Sequence, residues 1–395
     1  MIKIPIFFAK KTKGATMYAK GFLHKLLSSV MHKKRLTTLI LLINGLLIGK
    51  KISLTELGRH IDLPIQERSG IRRSDRFIGN KKLQIELNGI YKNHITALIK
   101  GKRPKIIVDW SHIPNTTHYN LTAALAAEGR SLILYQEVHS EKKQNNAKVE
   151  SAFLEKLASF ISSDIKPIII TDAGFRNPWF KKVLKLNWDF VGRIRGTQKY
   201  YDGKNWYSCR ELLLQKGCKR LRSIGKVLLC KKRNPVTTYL YLAKEKYEGS
   251  RWKYTKKHGG IKTFVKAAKE PWLLASSLEN INFSVIKLYK MRMQIEENFR
   301  DLKNNQYGFS LKTAHSRCPK RIRVLLVIAM LASLIAWLVG SIAEQKKWQY
   351  QFQVNSIKRR VLSLFFLGCQ VIKRQKYVSN LMLMDALENI EVFSL

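Results

Sequence analysis

PIIITDAGFRNPWFKKVLKLNWDFVGRIR, residues 167–195, passes from an apolar run through a helical stretch and back to an apolar run. Residues 167–172 are short, aliphatic and without helical periodicity, so they read as a buried strand ending in Asp172. Pro178 suits the first turn of a helix, where its missing N–H costs nothing, so 178–186 reads as a helix. WDFVGRIR (188–195) returns as a strand and carries Arg193. A helix between two such strands implies that they pair in parallel.

Working back toward the N-terminus, AKVESAFLEKLASFISS (147–163) has helical spacing, with Val149, Phe153, Leu154, Leu157 and Ile161 on one side. YNLTAALAAEGRSLILYQEV (119–138) reads as two strands about a turn at Glu128 and Gly129. KIIVD (105–109) is a short strand ending in Asp109. Three strands, a helix, a strand, a helix and a strand make up the element order of an α/β ribonuclease-H-like core. The interval 197–283 interrupts it with IGKVLLC (224–230), VTTYLYLAK (236–244) and WLLAS (272–276), the strands of a β-rich insertion. The expected organisation is a helical region over 1–100 and the first part of the core over 101–196. The insertion follows over 197–283, then the second part of the core over 284–345 and a C-terminal helical region over 346–395.

The second part of the core opens with YKMRMQIEENFRDLK (289–303). On a continuous helix at about 100° per residue, Tyr289, Arg292, Glu296 and Lys303 share an arc of about 60°. Leu288, Met291, Ile295, Phe299 and Leu302 form the apolar stripe beside it. Glu296 therefore borders the buried face, whereas Glu297, Asp301 and Lys290 point to solvent. An ordinary amphipathic helix with i,i+4 charge pairs accounts for this segment equally well.

Asp109 and Asp172 each lie at the carboxyl end of a strand, where open α/β sheets present their ligands. Singly, either is an ordinary strand-end cap. Together with Glu296 they form a trio that would repel itself unless hard cations intervene. Mg2+ prefers oxygen ligands, and two such ions can activate an attacking oxygen and stabilise a leaving one at a phosphodiester.

The composition points to the same substrate class. Lys and Arg number 73 against 27 Asp and Glu, a net charge of +46 spread along all 395 residues. Such a charge suits a chain lying along DNA or RNA. Five cysteines (Cys209, Cys218, Cys230, Cys318, Cys369) without a CxxC pair support neither a disulfide framework nor a zinc site, which fits a reducing cytoplasm. Residues 324–343, VLLVIAMLASLIAWLVGSIA, are long enough to span a bilayer, but the flanking charges are balanced and a buried core helix is expected, with no membrane partner. The first residues, MIKIPIFFAKKTKG, have too short an apolar core for a signal peptide, and Met17 is an alternative start.

Ser53 and Glu56 frame a capping box that opens a short helix through Arg59. SGIRRSDRFIGN (69–80) follows with Arg72, Arg73 and Arg76, so a helix-turn-helix-like DNA-binding unit is expected. Nine Lys and Arg between Lys244 and Lys269, interleaved with Tyr247, Trp252 and Tyr254, suit phosphate and base contacts. SIKRRVLSLFFLG (356–368) reads as a further amphipathic helix.

Tyr289, Arg292, Glu296 and Lys303 form Y-x2-R-x3-E-x6-K, which resembles the YREK signature of DDE transposases of the insertion sequence 4 family. VDWSHI (108–113), TDAGFRNPWF (171–180), KEPWLL (269–274) and KMRMQIEENFRDLK (290–303) extend the resemblance, which is closest to the insertion sequence 10 branch and runs from about Lys33 to Ser356. The resemblance implies cut-and-paste transposition, in which Asp109, Asp172 and Glu296 hold two Mg2+ ions, with Mn2+ able to substitute. Water nicks the transposon end, the freed 3′ hydroxyl closes a hairpin, and the reopened ends attack target DNA. Tyr289, Arg292 and Lys303 would hold phosphates, with Arg193 as a further DNA contact, and Trp272 would stack on a flipped base. The implied partners are terminal inverted repeats, target DNA and a second copy of the chain in a synaptic complex, in the bacterial cytoplasm at the nucleoid. A metal-dependent nuclease of the same fold without strand transfer and an inactive DNA-binding relic are the alternatives.

Overall fold

A computed structural model describes residues 15–214, 220–230, 234–244, 271–354 and 356–390. The basic and aromatic stretch with Tyr247, Trp252 and Tyr254 lies outside the described residues. Two compact units emerge. Among the described residues, one gathers those up to Leu98, Ile113–Thr116 and those of 298–390, and the other holds Ile99–His112 and those of 117–297.

The helical unit begins with α1 (Ala15–Leu27), α2 (Lys33–Gly49), α3 (Leu54–Arg59), α4 (Glu67–Ile78) and α5 (Lys81–Leu98). Ser53 Oγ accepts from Glu56 N at 3.2 Å, one half of the expected capping box. Glycine is required where α3 crosses α4: a Cβ on Gly58 would stand 2.4 Å from Ile71 Cα, and one on Gly70 would stand 2.4 Å from Gly58 O.

The α/β unit is built on one ten-stranded sheet. Its first strands are β1 (Lys105–His112), β2 (His118–Leu125) and β3 (Leu132–Ser140), followed by α6 (Ala147–Ala158), β4 (Ile168–Thr171), α7 (Asn177–Lys185) and β5 (Asp189–Arg193). Then come β6 (Lys199–Tyr201), β7 (Trp206–Ser208), α8 (Cys209–Leu214), β8 (Leu221–Leu229), β9 (Val236–Ala243) and β10 (Trp272–Ser276). The strand order is β3-β2-β1-β4-β5-β10-β9-β8-β6-β7. β1, β4 and β5 run parallel and every other pairing is antiparallel. The first five strands and their helices make a ribonuclease-H-like core. All four residues of β4 are buried, as its aliphatic run requires. Phe180 of α7 stacks on Phe190 of β5 with ring centroids 4.5 Å apart.

The strands from 197–283 do not form a layer of their own. β10 pairs with β5, Leu274 opposite Arg193, so these strands prolong the core sheet. A five-stranded core ending at β5 would leave an open row of N–H and C=O groups, and β10 closes that edge.

The chain continues through α9 (Ser284–Lys290) and α10 (Met293–Lys303). The sequence pattern suggested one helix across 289–303; instead it is broken at Met291 and Arg292. There Arg292 N bonds Tyr289 O at 3.1 Å and Ile295 N bonds Arg292 O at 3.2 Å, the three-residue reach of a tightened turn. Leu288, Ile295, Phe299 and Leu302 are buried as the pattern required, whereas Met291 is half-buried.

The helical unit ends with α11 (Pro319–Gln345), α12 (Leu364–Lys373) and α13 (Asn380–Glu388). α11 is long and apolar enough to cross a membrane, but 89% of its most apolar stretch is buried within the protein. The expected helix over 356–368 starts only at Leu364, because Ser363 caps it by accepting from Phe366 N at 3.2 Å.

Candidate active site

Parallel pairing places two acids side by side. The β1–β4 ladder ends at Val108 opposite Thr171, and Asp109 and Asp172 are the next residue of each strand path. Asp109 does not end β1, as its sequence suggested; the strand runs on to His112 by pairing with β2, Asp109 opposite Thr122. Asp172 follows β4 directly, and its Oδ1 accepts from Gly174 N at 2.8 Å. Asp109 Oδ1 accepts from Trp110 N, also at 2.8 Å.

Burial and the neighbouring charge of Asp172 push the Asp109 carboxyl up to about 7, with Glu296 adding to the rise and Arg292 and the Trp110 amide opposing it. Asp109 therefore feels the charge of both other expected acids. Arg292, from the tightened turn, stands between two of them. Its Nη1 lies 3.9 Å from Asp109 Oδ2 and pairs with Glu296 Oε1, while its Nε is buried without a hydrogen bond. Tyr289 is 4% exposed, and the Arg292 guanidinium carbon lies 5.8 Å from its ring centroid. Burial raises the Tyr289 hydroxyl pKa, Arg292 and Arg193 oppose this, and Asp172 adds to it, so all four groups share one electrostatic neighbourhood. Trp272, the first residue of β10, meets Tyr289 edge-on at 5.0 Å between centroids. Arg193 ends β5, the strand paired with β10.

The α/β unit thus gathers Asp109, Asp172, Glu296, Tyr289, Arg292, Arg193 and Trp272. Lys303 is not among them: it closes α10 within the helical unit, where its Nζ lies 5.7 Å from the Phe299 ring centroid. Arg72, Arg73 and Arg76 also belong to the helical unit, on α4, with Arg72 and Arg76 exposed and Arg73 half-buried. Glu297 is not the solvated acid that the wheel suggested. It pairs with Arg130 at 3.2 Å, and its side chain is 25% exposed against 41% for Glu296. The tightened turn shifts the phase of α10, which a wheel of uniform pitch cannot show.

Two residues at this site escaped the sequence reading. Trp110 donates its indole N–H to Glu150 Oε1 at 3.1 Å, and Glu150, on α6, is 4% exposed. Burial pushes Glu150 up to about 7, against the hydrogen bond from Trp110 and the charge of Arg176, with Asp172 adding to the rise. The signal was present in the sequence: Glu150, Phe153, Leu154 and Leu157 follow the i, i+3, i+4, i+7 pattern of a core face.

Among the described residues, no three of His, Cys, Asp and Glu are arranged to hold a metal ion. Arg292 neutralises Asp109 and Glu296 in its place. The three acids nevertheless suit a hard divalent cation: all their donor atoms are carboxylate oxygens, and the burial and the neighbouring Asp172 charge that raise Asp109 are what a cation would offset.

Comparison with curated proteins gives no match. The family model described as the transposase DDE domain matches residues 100–335, more than half of the chain. That span contains the five core strands, both strand-borne aspartates and the Arg292–Glu296 pair, and the chain belongs to the DDE transposase family.

Proposed function

We propose that the chain is a cut-and-paste DNA transposase of the insertion sequence 4 type, nearest its insertion sequence 10 branch. The observation that carries this reading is the convergence of Asp109, Asp172 and the Arg292–Glu296 pair at the carboxyl edge of the parallel strands. Under this reading Tyr289, Arg292, Glu296 and Lys303 are the YREK residues, and Asp109, Asp172 and Glu296 are the metal ligands.

Two Mg2+ ions, or Mn2+ in their place, would supply charge neutralisation and activation of the attacking oxygen when bound. The protein's own groups do the rest. Asp109 and Asp172 present their carboxylates from a rigid sheet edge, so little reorganisation is needed at the reacting phosphate. Arg292 holds Asp109 and Glu296 together, and its guanidinium is placed to bind a phosphate of the DNA. Tyr289 offers a hydroxyl donor beside it, and Arg193 and Lys303 add cationic contacts to the DNA backbone. Trp272, packed edge-on to Tyr289, offers a face on which an unstacked base can rest. The nick, the hairpin closed by the freed 3′ hydroxyl and the final strand transfer then reuse one acid site.

α3 and α4 act as the helix-turn-helix-like reader of terminal repeats, with Arg72, Arg73 and Arg76 on its second helix. Two copies of the chain, two ends and target DNA assemble as a synaptic complex in the cytoplasm at the nucleoid. The organisation into a helical region over 1–100, core parts over 101–196 and 284–345, a β-rich insertion over 197–283 and a helical region over 346–395 belongs to the same proposal.

The test is to incubate the protein and Mg2+ with labelled duplex taken from the DNA flanking the reading frame. Hairpins and joined products are expected. Nicks alone would identify a nuclease, and binding without cleavage an inactive relic.

A further inference from the structure

α6 carries an acid where its packing face is otherwise apolar. Phe153, Leu154 and Leu157 are 0% exposed and Glu150, on the same face, is 4% exposed. Burying a carboxyl group is costly, and its single hydrogen bond, from the Trp110 indole at 3.1 Å, would be accepted equally well by the amide oxygen of a glutamine. The hydrogen bond alone therefore does not account for an acid here.

The surroundings do. The charges that act on Glu150 are Asp172, which opposes its ionisation, and Arg176, which favours it. Trp110 links the two sides of the site: its backbone N–H holds Asp109 Oδ1 and its indole N–H holds Glu150 Oε1. Glu150 is thus tied to Asp109 through Trp110 from the helix layer, on a different element from Asp109, Asp172 and Glu296.

We infer that Glu150 is a fourth carboxylate of the cation site, lending negative charge from behind Trp110 to the binding of a divalent metal ion and bracing Asp109 through Trp110. The inference rests on the proposed reading of Asp109 and Asp172 as metal ligands.

The test measures Mn2+ affinity of the full chain by calorimetry and by electron paramagnetic resonance of the free ion, without DNA or turnover. Glu150→Gln keeps the acceptor for Trp110 and removes only the charge. It is expected to weaken Mn2+ binding about 10- to 100-fold, the usual cost of losing an outer carboxylate partner. Trp110→Phe removes the hydrogen bond but keeps the charge, and is expected to weaken binding less. Three results overturn the inference: Glu150→Gln binding Mn2+ as tightly as wild type, Trp110→Phe losing as much affinity as Glu150→Gln, or Glu150→Gln failing to fold by circular dichroism. Wild-type protein that binds no Mn2+ would instead remove the reading of Asp109 and Asp172 on which the inference stands.

Discussion

Arg292 Nη1 lies 3.9 Å from Asp109 Oδ2, and the same guanidinium pairs with Glu296 one helical turn further on. A positive charge therefore sits where the acids would meet a cation. At about 4 Å and an effective dielectric near 20, a pair of unit charges interacts by roughly 4 kcal/mol, which solvent access at this site reduces. Arg292→Ala is accordingly expected to bind Mn2+ about tenfold more tightly than wild type in the absence of DNA, while its cleavage of transposon ends falls. Calorimetric titration reads the first effect and a labelled-end assay the second. Weaker Mn2+ binding by the alanine variant would show that Arg292 supports the cation site and does not compete with it.

The acids themselves separate by variant. Asp109→Asn, Asp172→Asn and Glu296→Gln are expected to abolish cleavage and leave end binding nearly intact, since each keeps its shape and loses one charge. Glu297→Gln loses its pairing with Arg130, a partly exposed contact worth about 0–1 kcal/mol, and is expected to keep most of its cleavage. Gel-shift and cleavage assays on one labelled duplex decide the matter. Equal loss from Glu296→Gln and Glu297→Gln would remove Glu296 from the acid set.

How the sequence revealed Asp109 and Asp172 but concealed Glu150 is a matter of periodicity. Aliphatic runs such as 106–108 and 168–170 read as buried strands because burial on both faces leaves no polar alternation, and an acid just past such a run is conspicuous. Glu150 was inconspicuous because acids are common in the first turn of a helix, where they complement the helix dipole. Its one mark was its place in the apolar series with Phe153, Leu154 and Leu157, and the burial of that face shows that it points inward. The break at Met291 and Arg292 was hidden for a different reason: a tightened turn needs no glycine or proline, so nothing in YKMRMQ marks it. The course of β10 beside β5 was likewise out of reach, since strand order in a sheet follows from long-range pairing and not from local pattern.

Burial raises two carboxyl groups at this site, and stability should follow. Asp109 rises from an ordinary 3.8, and Glu150 from 4.5, each to about 7. Between those limits the folded chain holds protons that the unfolded chain has released, so stability falls as pH rises. The contribution is complete below about pH 4 and gone once pH passes about 7, and it amounts to at most a few kcal/mol per group. Metal-free protein is expected to lose several degrees of Tm between pH 5 and pH 8, by scanning calorimetry. Mg2+ should restore the loss at pH 8, because the cation binds the ionised carboxylates of the folded state alone. Asp109→Asn should show a flatter pH profile, and a wild-type Tm that rises over this range would contradict the assignment.

The α3–α4 pair offers a contrast between shape and charge. At Gly58 an added Cβ would stand 2.4 Å from Ile71 Cα, a backbone atom that can yield only if the two helices separate. Gly58→Ala is therefore expected to destabilise the helical unit by about 1–3 kcal/mol or more, the cost of overpacking, and to lower DNA affinity along with Tm. Arg72→Ala and Arg76→Ala remove exposed side chains from α4 and should leave Tm unchanged. Their effect should appear in the salt dependence of duplex binding, each lost phosphate contact lowering the slope of log affinity against log salt by about 0.9. Fluorescence anisotropy from 50 to 200 mM salt covers the range over which such contacts are screened. An unchanged slope in the double arginine variant would exclude α4 from the DNA interface, whatever the outcome at Gly58.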